Sequence, residues 1–249
     1  MKITDHCFVV LGLGYSLPWM VNSGFIIGSE KTLIVDSGPN YLAAHTIYGY
    51  AKNLKPENEL IVVNTEKHFD HICGNSFFKE KGITIYGHKD IQRDDSEFKS
   101  ELEYFNENIE NKFRRESHEE KIFFQKTEIV NPGFVVEDGQ TFSLGGIEAK
   151  IIFTAGHTAS NISVYIQEEK VLYCGDLIVS GYIPNLEAGT KNDWQIWIDS
   201  LDKISELKID YVVPGHGDVI KRFEIKKEIE RISTILCSAI SENKAPTAL

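Results

Sequence analysis

No run of about 18 apolar residues occurs anywhere in the 249-residue chain, so no segment is expected to cross a bilayer as a helix. Cysteine is scarce. Cys7, Cys73, Cys174 and Cys237 are scattered, make no CxxC pair and build no disulfide framework. Reduced thiols in a cytoplasmic protein are the expectation, with Cys73 and Cys174 close enough in sequence to candidate site residues to line a site. Positive charge is also short: 26 Lys and Arg face 37 Asp and Glu, a formal net charge of −11. An acidic surface repels a phosphate backbone, and no basic patch longer than a few residues interrupts it, which argues against nucleic acid as a partner. The opening "MKITDHCFVVLGLG" lacks the pattern of a secretory leader, because its apolar run is short, follows Asp5 and His6, and ends in glycine.

What is present reads as one α/β domain over residues 1–249. Hydrophobic residues make up 42% and charged residues 25%, which excludes disorder and fibrous classes. "CFVVLGL", "GFIIGS" and "TLIVDSG" are β-branched, apolar and bounded by turn residues, so they predict strands. A helical pattern covers Asn40–Asn53 and ends before Pro56. Strands "LIVVNT" and "ITIYGH" follow. The charged stretch from about 89 to 121 carries Phe98, Leu102, Phe105, Ile109 and Phe113 at helical spacing. It is read as a helical insert, packed on the body or serving as a lid or dimer face, with packing favoured. The second half predicts strands in "GFVVEDGQTFSL", "IEAKIIFTAGH", "NISVYIQEEKVLYCGD" and "YVVPGHGD". It also predicts helices around Asp193–Leu207 and beneath Ile225, Ile229, Ile232 and Leu236. Strands then helices, twice over, suggest two sheets packed face to face with helices outside.

One stretch stands out chemically. "NTEKHFDHICGN" puts Glu66, His68, Asp70 and His71 within six positions of a chain that has only eight histidines. It follows a buried strand, where α/β proteins place chemistry. Alone, the cluster could be a polar loop with one satisfied histidine and Asp70 as a helix cap. Three further residues weigh against that. His157 in "TAGHTASN", Asp176 in "LYCGDL" and His216 in "VVPGHGD" each follow a predicted strand, and each has glycine beside it. Glycine there lets the backbone turn sharply and brings a side chain over the sheet edge.

Five of these stretches, in this order, resemble signatures of the metallo-β-lactamase superfamily: "IVDSG" at Ile34–Gly38, "TEKHFDH", "GHT", "GD" and "PGHG". The resemblance runs from about Cys7 to the final helix and implies a four-layer αββα sandwich. Carried over by position, it implies a first metal held by Glu66, His68 and His157, a second held by Asp70, His71 and His216, and Asp176 bridging both. Asp36 would hold a ligand imidazole from behind; otherwise it simply forms a turn after a strand. The chain departs from the family's His-x-His-x-Asp-His at Glu66, which stands at the first histidine. A carboxylate still binds zinc, at about 2.0–2.2 Å. It makes the site harder and more anionic, shifting preference toward iron or manganese. Alternatively Glu66 acts through a water and one site is filled.

The implied cofactor is a pair of zinc ions, with iron or manganese as alternatives. The implied activity is a metal-dependent hydrolase in which a metal-bridging hydroxide, oriented by Asp70, cleaves a small ester, thioester, lactone or amide. Asp176 and the opening of the chain argue against a dedicated lactamase, which carries Cys or Ser at that place and works outside the cytoplasm. Val179 stands where lactonases of the family carry tyrosine, with Tyr182 nearby as a substitute. Trp19, Met20 and Tyr182 are candidate pocket walls, the alternative being ordinary hinge and core packing. Two other readings stand: an iron-dependent redox enzyme of the persulfide dioxygenase kind, and a non-catalytic metal or ligand binder. The expected partner is a small-molecule substrate, with no nucleic acid and no membrane; self-association stays open.

Overall fold

Short β-branched runs separated by glycine-bearing turns give the first half its strands. The computed structural model describes residues 1–14, 20–100, 127–186 and 189–246. Strands β1 (Cys7–Leu13), β2 (Val21–Ile27) and β3 (Lys31–Val35) form an antiparallel meander. Helix α1 (Tyr41–Leu54), capped by the Asn40 side chain on the Ala43 N–H, carries the chain back. Strand β4 (Glu59–Val63) can therefore lie parallel to β3. The short helices α2 (Phe69–Ile72) and α3 (Asn75–Glu80) lead to β5 (Thr84–Gly87), parallel to β4, and β6 (Phe134–Val135) closes the edge.

The second sheet contains β7 (Thr141–Ser143), β8 (Glu148–Phe153), β9 (Ile162–Ile166), β10 (Val171–Tyr173), β11 (Tyr211–Val213) and β12 (Ile220–Lys221). Helix α4 (Lys191–Ser205) connects β10 to the parallel β11, and α5 (Arg222–Glu242) ends the fold. Among the described residues each sheet has six strands, in the orders β1-β2-β3-β4-β5-β6 and β12-β11-β10-β9-β8-β7. α4 starts on a capping box: Thr190 and Asp193 each accept from the other's backbone N–H.

Burial follows the layers. Leu33, Val35, Ile61 and Val63 of the first sheet meet Ile151, Ile162, Val164 and Tyr173 of the second. The alternate residues Ile34, Leu60 and Val62 face outward under Ala44 and Ile47 of α1 and Phe77 of α3. On the other side Tyr165, Leu172 and Val212 lie under Trp194, Trp197 and Leu201 of α4 and Ile225, Ile229 and Ile232 of α5. Both sheets are covered on both faces, which is why β9 is buried along its length rather than alternating. The result is the four-layer αββα sandwich that the sequence suggested.

Some details go beyond the sequence reading. The strand-forming stretch "GFVVEDGQTFSL" is divided between the sheets: β6 belongs to the first and β7 to the second, with a turn through Gly139 at φ 81° between them. Cys73 and Cys174 do not line a site. Both are fully buried, in the clusters around Phe69 and around Trp197, where a thiol packs as a small apolar group. Helices α2 and α3 are new, being too short to show a helical period. Of the charged segment, residues 95–100 are helical and Phe98 packs edge-on to Phe69 at 5.4 Å; Leu102, Phe105, Ile109 and Phe113 lie outside the described residues. No described helix is long and apolar enough to cross a membrane.

Candidate metal centre

The parallel pairing of β3 with β4 sets one half of the site. Val35 lies opposite Val63, so the residues just beyond both strand ends are neighbours. Asp36 turns there with φ 62° and is buried. Its Oδ1 accepts from the Thr65 backbone N–H at 2.7 Å, and its Oδ2 accepts from the Thr65 hydroxyl at 2.7 Å. Its Oδ2 also lies 2.9 Å from Nδ1 of His71. His68 is the extended residue that opens α2, and Asp70 and His71 fall in that helix's single turn. Both are thereby aimed at the same point above the sheet edge.

The second sheet repeats the device. β10 and β11 are parallel with Tyr173 opposite Val213, so Asp176 and His216 emerge side by side. His157 follows β8. Two glycines permit the close approach. A Cβ on Gly156 would sit 2.5 Å from Cα of Trp197, and a Cβ on Gly215 would sit 1.8 Å from Oδ1 of Asp176. Gly215→Ala is therefore expected to displace the Asp176 carboxylate and lower metal affinity at least about tenfold. Calorimetry of metal binding on the variant, with circular dichroism to show an intact fold, checks it.

The seven ligand-type residues picked from the sequence come together in two groups. Glu66, His68, His157 and Asp176 form one; Asp70, His71 and His216 form the other. In the first, Glu66 Oε1 is 2.8 Å from His68 Nδ1, which is 3.1 Å from His157 Nε2, itself 3.5 Å from Asp176 Oδ2. In the second, His216 Nε2 is 3.2 Å from Asp70 Oδ2, and His71 Nε2 is 3.8 Å from the same oxygen. Asp176 touches both groups: its Oδ2 is 3.3 Å from His216 Nε2 and its Oδ1 is 3.3 Å from His71 Nε2. Donors about 2.0–2.2 Å from one tetrahedral ion stand roughly 3.3–3.5 Å apart, so these spacings suit a divalent cation in each group.

Electrostatics supports that fit. Among the described residues, Glu66 Oε1, His71 Nε2 and Asp176 Oδ1 are buried with ion-pair contacts to one another and to His68 but without a well-aligned hydrogen bond, although buried polar atoms are nearly always paired. They point at one another across the site, as atoms reserved for a cation would. Burial alone would raise the carboxyl pKa of Glu66, but His68, His71 and His157 outweigh it and hold the group below its usual value. Burial likewise opposes charge on Asp176 and Asp70; His216 and His71 prevail, keeping Asp176 well below its usual value and Asp70 at about 2. In turn, the carboxylates overcome burial to raise His216 to about 11 and His68 to about 9. Protons on these imidazoles balance the carboxylates where a cation would otherwise do so, and a metal ion entering must displace them.

The pocket residues fare differently. Trp19 lies outside the described residues. Met20 reaches the site through its backbone: its carbonyl accepts from His216 Nδ1 at 3.1 Å. Tyr182 is half-buried, a short way along the chain from Asp176. Sequence reading missed Thr65 and Asn22. Asn22 is buried and its Nδ2 donates to the carbonyls of Pro214 at 3.0 Å and Gly217 at 2.7 Å, bracketing His216. It precedes the predicted strand "GFIIGS", whereas β2 begins at Val21 and so takes Asn22 into the sheet.

Comparison with known proteins bears on the family and the fold. A family model described as the metallo-beta-lactamase superfamily matches residues 17–216. The beta-lactamase-like protein 2 homolog of Caenorhabditis elegans is 36% identical over 97 residues, which is 39% of this chain and 31% of that protein, so the match spans about a third of its length. The human acyl-coenzyme A thioesterase MBLAC2 is 23% identical over 228 residues, covering 86% of this chain and 79% of that protein. Among solved structures, a metallo-beta-lactamase family protein from Thermus thermophilus superposes with a TM-score of 0.69 at 18% identity, covering 97% of this chain and 82% of that one.

Proposed function

The chain belongs to the metallo-beta-lactamase superfamily, and on that premise we propose that it is a metal-dependent hydrolase that cleaves small thioesters with two bound zinc ions. The convergence of two donor groups on the shared Asp176 carries this reading. The thioesterase name of the human relative, matched over most of the chain, supports the substrate class. Glu66, His68 and His157 would hold one cation, Asp70, His71 and His216 the other, with Asp176 between them. The harder donor set around Glu66 leaves manganese or iron as candidates for its cation.

When bound, the divalent pair supplies Lewis acidity, activating water near neutral pH and polarising the thioester carbonyl. The chain's own residues do the positioning. Asp70 is the most open carboxylate of the cluster, with 26% of its side chain exposed, and is the group that accepts a hydrogen bond from the attacking water. Because His71 and His216 hold it ionised, it remains an acceptor across the working pH range. Asp36 and the Met20 carbonyl each take the Nδ1 proton of a histidine, which leaves His71 Nε2 and His216 Nε2 as the free donor atoms. No thiol competes as nucleophile in the described site, since Cys73 and Cys174 are fully buried. Met20, Tyr182 and Trp19 are our candidates for the walls that receive the acyl group.

The test is thiol release from acyl-coenzyme A and acyl-glutathione thioesters, with oxygen esters, lactones and a β-lactam alongside. Chelation is expected to lower the rate at least about 100-fold, and zinc to restore it. Metal-loaded protein that turns over none of these thioesters would overturn the reading. So would a single bound iron with oxygen consumed on a persulfide.

A further inference from the structure

With Glu66 in place, both donor groups offer the same chemistry, one carboxylate and two imidazoles, with Asp176 beside both and Glu66 Oε1 nearer its own His68, at 2.8 Å, than His71 of the other group, at 3.4 Å. Donor type therefore does not rank the two subsites. Their supports do. His71 Nδ1 is held by Asp36, which is itself locked on Thr65 by two short hydrogen bonds. The His71 carbonyl accepts from the Ser37 backbone N–H and hydroxyl and from Asn64. His216 Nδ1 donates to the Met20 carbonyl, Asn22 clamps the loop on both sides of it, and the His216 carbonyl accepts from Ser180 N–H.

The Glu66 group has little of this. His157 Nδ1 is buried with no hydrogen-bond partner among the described residues, and its ring is placed by contact with the Trp197 and His68 rings. The His68 side chain is 25% exposed. Among the described residues, Glu66 Oε2 accepts only from the N–H of the next residue, Lys67. Outer partners that fix ligand orientation typically contribute about 10–100-fold in metal affinity.

We propose that the Asp70–His71–His216 subsite takes the first divalent cation tightly and that the Glu66–His68–His157 subsite takes the second weakly, so that the cation beside Glu66 is the exchangeable one. The proposal rests on reading the cluster as a metal centre and adds an order of filling. Exchange at that position then sets how many ions the centre carries at a given metal supply.

The experiment titrates metal-free protein with zinc, followed by calorimetry and by NMR of ¹⁵N-labelled histidine rings. Two steps are expected, the first at least about tenfold tighter. At one equivalent, the His71 and His216 signals move and those of His68 and His157 stay. Glu66→Gln should weaken the second step at least about tenfold and leave the first within about threefold. Asp36→Asn should weaken the first step about 10–100-fold. If His68 and His157 respond first, if all four move together, or if Glu66→Gln weakens the tight step, the proposal is wrong while the metal centre stands. No binding at all would instead remove the metal centre itself.

Discussion

Asp176→Asn is expected to lower kcat/KM for a thioester by roughly three orders of magnitude or more, as removal of a group shared by a whole catalytic constellation does. Asp176 reaches both donor groups with both of its carboxylate oxygens, 3.5 Å from His157 Nε2 and 3.3 Å from both His216 Nε2 and His71 Nε2, whereas Glu66 reaches the second group only through Oε1, 3.4 Å from His71 Nε2. Asparagine keeps the shape but removes the negative charge. It also turns an N–H group toward atoms that need a lone pair. Two cations would then repel one another without the anion between them, so bound metal should fall from two ions to one or fewer. Steady-state kinetics with metal analysis by mass spectrometry measures both quantities. Near-full activity with two ions retained would contradict the role given to Asp176 here. The variant should fold, because the side chain sits in the short 3₁₀ turn Gly175–Leu177 after β10 and not in the apolar layers; far-UV circular dichroism checks that independently.

The strand-end residues explain why so much of this centre could be read from sequence. Strands β4, β8, β10 and β11 each run apolar and β-branched to a sharp break, and the break is followed by Glu66, His157, Asp176 or His216. A period-2 or fully apolar run marks the sheet, and the polar residue past its end has nowhere to go but the rim. Local sequence carries both facts. It does not carry who meets whom across the two sheets. Thr65 holds Asp36 only because β3 and β4 pair in parallel with Val35 opposite Val63, a long-range register that no spacing reveals. Asn22 brackets His216 from the opposite end of the chain, by hydrogen bonds to main-chain carbonyls that could belong to any loop. The split of residues 134–143 between two sheets was hidden for a related reason. Both halves have β-forming residues, and only the turn at Gly139 separates them.

Trp197→Ala is expected to destabilise the protein by about 3–5 kcal/mol, the usual cost of emptying a large buried aromatic site. Trp197 is among the largest fully buried side chains of the described residues, at 1% exposure, in the layer between α4 and the second sheet. Its Nε1 donates to the Leu177 carbonyl at 2.8 Å, so truncation also leaves that buried acceptor unpaired. Against a total stability of about 5–15 kcal/mol, such a loss removes a large share. Urea unfolding should show a lower midpoint at unchanged slope. The effect reaches the metal centre because Gly156 lies directly against the Trp197 backbone and the His157 ring packs edge-on to the indole at 5.3 Å. With Nδ1 of His157 unpaired among the described residues, that indole constrains the ring from one side while His68 Nδ1, 3.1 Å from His157 Nε2, and Asp176 constrain it from the other. Trp197→Phe, which keeps an aromatic wall but not the hydrogen bond, should recover most of the stability and most of the zinc affinity at the Glu66 subsite. If Trp197→Ala loses less than about 1.5 kcal/mol, the layer has collapsed around the gap and the packing argument fails. If it loses stability but binds zinc unchanged, the indole supports the fold alone and His157 is held by something else.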